Sequence, residues 1–374
     1  MRSGIRLGTI FGVPIAIDFS WFLIFALIAY TISLGFEGAF PELSNAARWG
    51  LAIGTALLFF ISLLLHELAH SIVAKRTGIP VHGITLFLFG GVSRITREAE
   101  RPRTELAISI VGPLTSAFLG LAFLGIYFAL RSTSMRPLAG ASQYLSFINF
   151  ALAVFNMLPG FPLDGGRVLR AAVWGLSGSY SRANNVATRA GQLVASLMIL
   201  AGVILIFLPN TSVIQGLWPI FLGWYLFSAA SASRRQLELK DHLSGLKARD
   251  AMARSCPVVP HSLTLDVLVD GYIVPTGCRV FLVASFSEPR GIVTTRQVRM
   301  VGRDRWRDTR IESIMMPLDK IPMVKPDEDA YRVLEIMSEA DATEVPVAED
   351  GNIIGLVGRE DILRIASIRS ELSR

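Results

Sequence analysis

Cysteine is almost absent from this 374-residue sequence, which has two, Cys256 and Cys278. Two thiols make no disulfide framework and, by themselves, no four-ligand structural zinc site. Charge is scarce as well. Only 18% of residues are Asp, Glu, Lys or Arg, against about a quarter in ordinary soluble proteins. The shortage is local: residues 1–233 hold 15 Lys/Arg and eight Asp/Glu, and residues 234–374 hold 21 and 22. The first part has the composition of a membrane protein and the second that of a soluble one. Disordered, collagen-like and disulfide-rich chains are excluded. The net charge of +6 comes from the membrane part. Its basic loops are a topology signal, so nucleic acid is not an expected partner.

Four apolar segments, 19–36, 49–74, 106–130 and 138–163, suit spans of about 20 residues. Residues 190–233 carry no charge over 44 positions. Pro209-Asn210-Thr211-Ser212 breaks that run into a hairpin of two spans, which makes six. Arg2 and Arg6 precede the first span, and no small-x-small site follows. That segment reads as a retained span rather than a cleaved signal. Lys75, Arg76, Arg94, Arg97, Arg101 and Arg103 lie between spans two and three. Arg167, Arg170, Arg182 and Arg189 lie between four and five, and Arg234, Arg235 and Lys240 follow span six. The remaining connections hold only Arg48, Arg131 and Arg136. The positive-inside rule therefore predicts both termini and the C-terminal part in the cytoplasm, where reduced cysteines belong.

The second span contains His66-Glu67-Leu68-Ala69-His70. On a helix, residues four apart share a face, so His66 and His70 suit one Zn²⁺, with Glu67 beside them as general base. With five His and 16 Glu in the chain, chance supplies this motif only about 0.003 times. The alternative is a pair of packing histidines, but ionisable groups inside a span are functional by default. A catalytic zinc takes a third protein ligand. Of the other acids, Asp18, Glu37 and Glu42 flank span one, and Glu98, Glu100 and Glu105 are expected in a cytoplasmic loop. Asp164 remains, in Pro159-Gly160-Phe161-Pro162-Leu163-Asp164-Gly165-Gly166. The prolines and glycines predict an unwound segment reaching the metal level. A solvated Asp-Gly-Gly turn is the competing reading. Asn149, seven residues before Asn156, is expected to make an interhelical contact, and His82 is expected to be structural.

Together, His66-Glu67-x-x-His70, Asn156 and Pro162-Leu163-Asp164-Gly165-Gly166 resemble the site-2 protease family of intramembrane zinc metalloproteases. The resemblance spans residues 1–233. It implies regulated intramembrane proteolysis of single-span membrane proteins, with His66, His70 and Asp164 as zinc ligands. It implies Glu67 as catalytic acid/base, and Asn156 in contact with substrate or the developing oxyanion. Residues 83–96 alternate around Gly90-Gly91 and predict a hairpin. By the same resemblance, an edge strand there holds unwound substrate, and residues 86–89 are the expected contact.

Residues 246–309 and 310–369 read as a repeat, joined to the spans by a linker at 234–245. Ala251-Met252 matches Ile314-Met315, Arg279 to Val283 matches Glu344 to Ala348, and Gly291 to Gln297 matches Gly355 to Asp361. Helices are expected at 263–271 and 330–340. This part resembles a tandem pair of CBS domains, which implies an adenine nucleotide such as ATP or AMP as ligand and pairing in a homodimer. The nucleotide signature is split: Thr294 is kept but Gln297 stands in place of Asp, and Asp361 is kept but Gly358 stands in place of Ser/Thr. A nucleotide sensor and a module for dimerisation or docking both stay open. The expected fold is thus a six-span α-helical membrane protein with a cytosolic α+β tandem CBS domain. A CBS-regulated channel or transporter and a catalytically silent metal-binding scaffold are the competing functions. The first predicts an inverted repeat, which the sequence lacks.

Overall fold

A tight hairpin precedes the first long helix. Strands β1 (Gly4–Ile10) and β2 (Val13–Asp18) are joined by Phe11 and Gly12, at φ 49° and 73°. Two positive-φ residues are what a type I′ hairpin turn requires. Val13, Ile15 and Ile17 point inward from β2, with the period of two that a half-buried strand shows. This hairpin was not expected from the sequence. The computed structural model describes residues 4–88, 90–95, 99–209, 211–253, 257–285, 288–350 and 352–372. The sequence features at Arg2, Phe89, Thr96, Arg97, Glu98, Asn210 and Cys256 lie outside the described residues.

Asp18 ends β2 and caps α1 (Phe19–Ala39), its carboxylate accepting the Ser20 N–H at 3.0 Å. Ser44 caps α2 (Asn45–Arg76), which carries the histidine motif. Strands β3 (Val81–Phe87) and β4 (Gly90–Ile95) form the hairpin expected at 83–96. The sheet order is β1-β2-β3-β4, with β2 and β3 parallel and the other pairs antiparallel. Gly83, at φ 145°, permits the central pairing, since a Cβ there would lie 2.7 Å from the Pro14 carbonyl oxygen. The parallel partner corrects one expectation: Leu86 and Phe87 lie inside the sheet, and β4 is the edge. Val13, Ile17, Ile84 and Leu86 of the sheet pack with Trp21, Phe60, Leu63 and Leu68 of α1 and α2.

Pro102 opens α3 (Pro102–Leu130), and α4 (Arg136–Asn156) follows. The expected fourth span, 138–163, ends early at Asn156. Pro159 and Pro162 cannot continue a helix, and the next helix, α5 (Asp164–Ser177), begins on Asp164 itself. Helices α6 (Tyr180–Phe207) and α7 (Val213–Leu243) form the last hairpin. Their backbones touch: a Cβ on Gly202 would lie 2.6 Å from the Gly216 carbonyl, and one on Gly223 2.7 Å from that of Ala195. Helices α1, α2, α3, α4, α6 and the Val213–Ala232 part of α7 are each long and apolar enough to cross a membrane. The segment expected as a linker, 234–245, is helical to Leu243. Glu105, expected in a loop, lies in the first turn of α3 and is 4% exposed.

The chain divides into two compact units, Met1–Arg235 and Gln236–Arg374. In the second, α8 (Ala248–Ala251) and β5 (Val258–Pro260) lead to α9 (Leu265–Leu268), a wide turn at Val269–Ile273 and α10 (Val274–Thr276). The helix expected at 263–271 is present, as continuous helical backbone from Leu265 to Thr276 with the wide turn in its middle. Then come β6 (Val280–Ser285), β7 (Glu288–Thr294), α11 (Thr295–Arg299) and β8 (Met316–Pro317). The second half repeats the order with α12 (Ala330–Glu339), β9 (Glu344–Glu349), β10 (Asn352–Gly358) and α13 (Arg359–Leu372). The halves exchange their leading segments. Ala253 bridges Leu356 of β10, and Met316 of β8 pairs with Ile292 of β7. Leu282, Ile292, Ile321 and Leu356 form a core shared between them.

Candidate metal centre

One turn of α2 separates His66 from His70, and both rings are buried, at 3% and 5% exposure. Asp164 reaches them from the first residue of α5. The three candidate ligand atoms form a nearly equilateral triangle. His66 Nε2 and His70 Nε2 are 3.2 Å apart, and Asp164 Oδ2 lies 3.2 Å from the first and 3.1 Å from the second. Ligands roughly 2.0–2.1 Å from one tetrahedral ion sit about 3.3–3.4 Å from each other. The triangle therefore fits a zinc-sized ion with one position left open. Among the described residues, this is the group of three or more His, Cys, Asp or Glu able to hold a metal.

Helix α3 sets the orientation of both rings. His70 Nδ1 lies 2.5 Å from the Ile108 carbonyl oxygen. A carbonyl only accepts, so Nδ1 carries the proton and Nε2 presents its lone pair to the centre. His66 Nδ1 lies 2.9 Å from Ser116 Oγ. Pro113, inside α3, removes one helix hydrogen bond at this level. Gly112 provides the space: a Cβ there would lie 2.1 Å from His70 Nε2 and 2.7 Å from His66 Nε2. Ile108, Gly112 and Ser116 recur at helical spacing on one face of α3. Sequence reasoning missed all three. A backbone carbonyl and a missing side chain leave no motif, and Gly112-Pro113 was the one local signal.

Glu67 sits beside the triangle under the edge strand. A Cβ on Gly91 of β4 would lie 2.6 Å from Glu67 Cγ. Ser93 Oγ is 2.8 Å from Ser71 Oγ, which ties β4 to α2. Asn156 ends α4 half-buried, its amide donating to the Leu152 carbonyl at 3.1 Å. No hydrogen bond among the described residues joins it to the triangle. Asn149 makes the expected interhelical contact, its amide 3.4 Å from Ser62 Oγ. In the second unit, Thr294 caps α11 by accepting the Gln297 N–H at 3.4 Å, and Asp361 pairs with Arg364 at 2.8 Å. No hydrogen bond or ion pair among the described residues joins Thr294 to Asp361.

The family model of Peptidase family M50 matches residues 54–139 and 133–200, which bracket His66, Glu67, His70 and Asp164. The CBS domain model matches residues 311–367. The protein sll0528 of Synechocystis sp., whose name is that of a zinc metalloprotease, is 34% identical over 97% of this chain and 96% of its own length. Rip3 of Mycobacterium tuberculosis, of the same naming, is 31% identical over 98% of this chain and 94% of its own. Among solved structures, the site-2 protease of Methanocaldococcus jannaschii is 29% identical, covering 62% of this chain and 94% of that one with a TM-score of 0.43. A multi-span helical unit with buried His66 and His70 beside a half-buried Asp164 and full-length relatives above 30% identity lead to one assignment. The chain belongs to Peptidase family M50, as a membrane zinc metalloprotease of the site-2 protease type that also carries a CBS domain.

Proposed function

We propose that this protein cleaves the transmembrane segments of single-span membrane proteins, in regulated intramembrane proteolysis. In this reading His66, His70 and Asp164 hold one zinc ion and Glu67 moves the protons. The 3.1–3.2 Å triangle beside Glu67 carries the proposal. Zinc, when bound, supplies a Lewis acid that polarises the scissile carbonyl and acidifies water. Glu67 accepts a proton from the attacking water and delivers it to the leaving amine. The Asn156 amide contacts the substrate backbone or the oxyanion.

Substrate must arrive unwound, because a helix shields its own peptide bonds. Strand β4 is an edge, and pairing along it satisfies the backbone groups that unwinding leaves bare in an apolar medium. Gly91 places that edge directly over Glu67. Both termini and the second unit lie in the cytoplasm in this reading, from the distribution of basic loops. The two repeats act as a tandem CBS pair that docks a second copy or senses adenine nucleotide through Thr294 and Asp361.

The test is zinc analysis and cleavage of a single-span substrate in proteoliposomes. Wild type is expected to hold one zinc and to cleave. Glu67→Gln is expected to hold the same zinc and to lose about 10²–10⁴-fold in rate. Zinc without cleavage in wild type would favour the silent scaffold.

A further inference from the structure

One buried charged cluster in the membrane unit stands outside the triangle. Arg170 of α5 is 6% exposed and Glu105 of α3 is 4% exposed. Arg170 Nε donates to Glu105 Oε1 at 2.5 Å, and Nη2 pairs with the same oxygen. Arg170 Nη1 donates to Asn184 Oδ1 of α6 at 3.0 Å, and Asn184 Nδ2 donates to Thr188 Oγ1 at 3.4 Å. The guanidinium also lies between two rings, 4.8 Å from the centroid of Phe161 and 5.0 Å from that of Tyr180. One side chain thus touches α3, α6 and the turn before α5.

Stability alone is a weak reason for such a group, because desolvating two charges offsets most of their attraction. Position is the stronger reason. Asp164 lies between Phe161, three residues earlier, and Arg170, six residues later. Arg170 grips the chain on both sides of it. The gripped partner is the helix that sets the histidines: Glu105, Ile108, Gly112 and Ser116 fall at i, i+3, i+7 and i+11 on one stripe of α3. Ile108 and Ser116 fix the rings from α2, and Glu105 fixes α5 through Arg170. Two ligands and the third are therefore referred to a single helix.

We propose that Arg170, through Glu105, is a positioning residue that sets Asp164 against His66 and His70. It touches neither metal nor substrate. The proposal rests on the zinc-ligand reading above, and the test separates the two. Zinc affinity is measured by chelator competition on the full chain in nanodiscs, for wild type, Arg170→Met, Asp164→Ala and the double variant. Arg170→Lys, which leaves a charge beside Glu105, runs through the same cycle in case Arg170→Met does not fold. Loss of Arg170 is expected to weaken zinc binding about 10–100-fold, as supporting partners of ligands do, with Lys intermediate. In the Asp164→Ala background the same substitutions are expected to add less than about twofold, because their effect passes through the missing carboxylate. A general loosening of the bundle would disturb the histidines too, and would weaken binding equally in both backgrounds. That result, or unchanged affinity on loss of Arg170, overturns the proposal. Unchanged affinity in Asp164→Ala alone overturns the ligand set and the clamp with it.

Discussion

Two arginine–glutamate pairs, one in each unit, show how differently the same chemistry is used. Arg170 and Glu105 have side chains 8% and 5% exposed and are bonded on several sides. Arg279 and Glu360, which connect the two repeats of the second unit, are 64% and 76% exposed and 2.5 Å apart. Water and salt screen the second pair, so its worth is about 0–1 kcal/mol. The first has no water to retreat to, and breaking it strands a charge. In the membrane unit, where eight acids serve 233 residues, each buried ionisable group is held in place. In the second unit, charge mainly dresses a surface, and apolar packing around Phe281, Val293 and Met337 holds the fold.

Four substitutions sharpen that contrast. The largest effect is expected for Gly112→Ala. The added methyl would occupy the space of the two Nε2 atoms, so zinc is expected to be lost and cleavage abolished while the purified protein stays helical. Metal analysis alongside circular dichroism checks this, and retained zinc would show that α3 yields. Gly91→Ala comes next. Its methyl would press on Glu67 Cγ, which is expected to slow cleavage about 100-fold, as a displacement near 1 Å does, with zinc stoichiometry unchanged. Equal loss of zinc would mean that the base and the metal are not separately seated.

In the second unit, Phe281→Ala is expected to destabilise by about 3–5 kcal/mol, since Phe281 is fully buried in the first repeat's core. Differential scanning calorimetry of the full chain should show one transition falling and the zinc content unmoved. Smallest is Arg279→Ala, expected to shift the same transition by about 1 kcal/mol or less and to lose even that in high salt. A larger, salt-insensitive loss would mean that this exposed pair behaves like the buried one.

The convergence of the three candidate ligands was legible because helical spacing turns His66 and His70 into neighbours, and because scarcity of acids pointed to Asp164. The same elimination misplaced Glu105. Its basic company suggests a loop, whereas Pro102 three residues earlier is a helix-start signal. The hairpin at 83–96 was readable from its alternation, but its edge was not. Which strand is outermost depends on the parallel pairing of Ile15 with Ile84, a contact across 69 residues that no local pattern reports. The β1 hairpin has only a weak local signal, the Phe11-Gly12 turn, between strands whose seven β1 residues are all exposed and so lack an inward-facing alternation. In the second unit, the repeat revealed the order of elements but not the exchange of leading segments, which is a property of the pair.

The Gly112-Pro113 step in the middle of α3 has a further consequence, for the solvent the enzyme requires. In a water-exposed helix, glycine and proline cost about 1 and 3 kcal/mol relative to alanine, enough to open the turn that faces the metal. Gly112 and Pro113 are buried inside the bundle, where no water competes for the helix's hydrogen bonds, so the helix is held there by its packing. The dry interior of the bundle is thereby a component of the candidate metal site. Detergents that admit water to this depth should release zinc before they unfold the bundle.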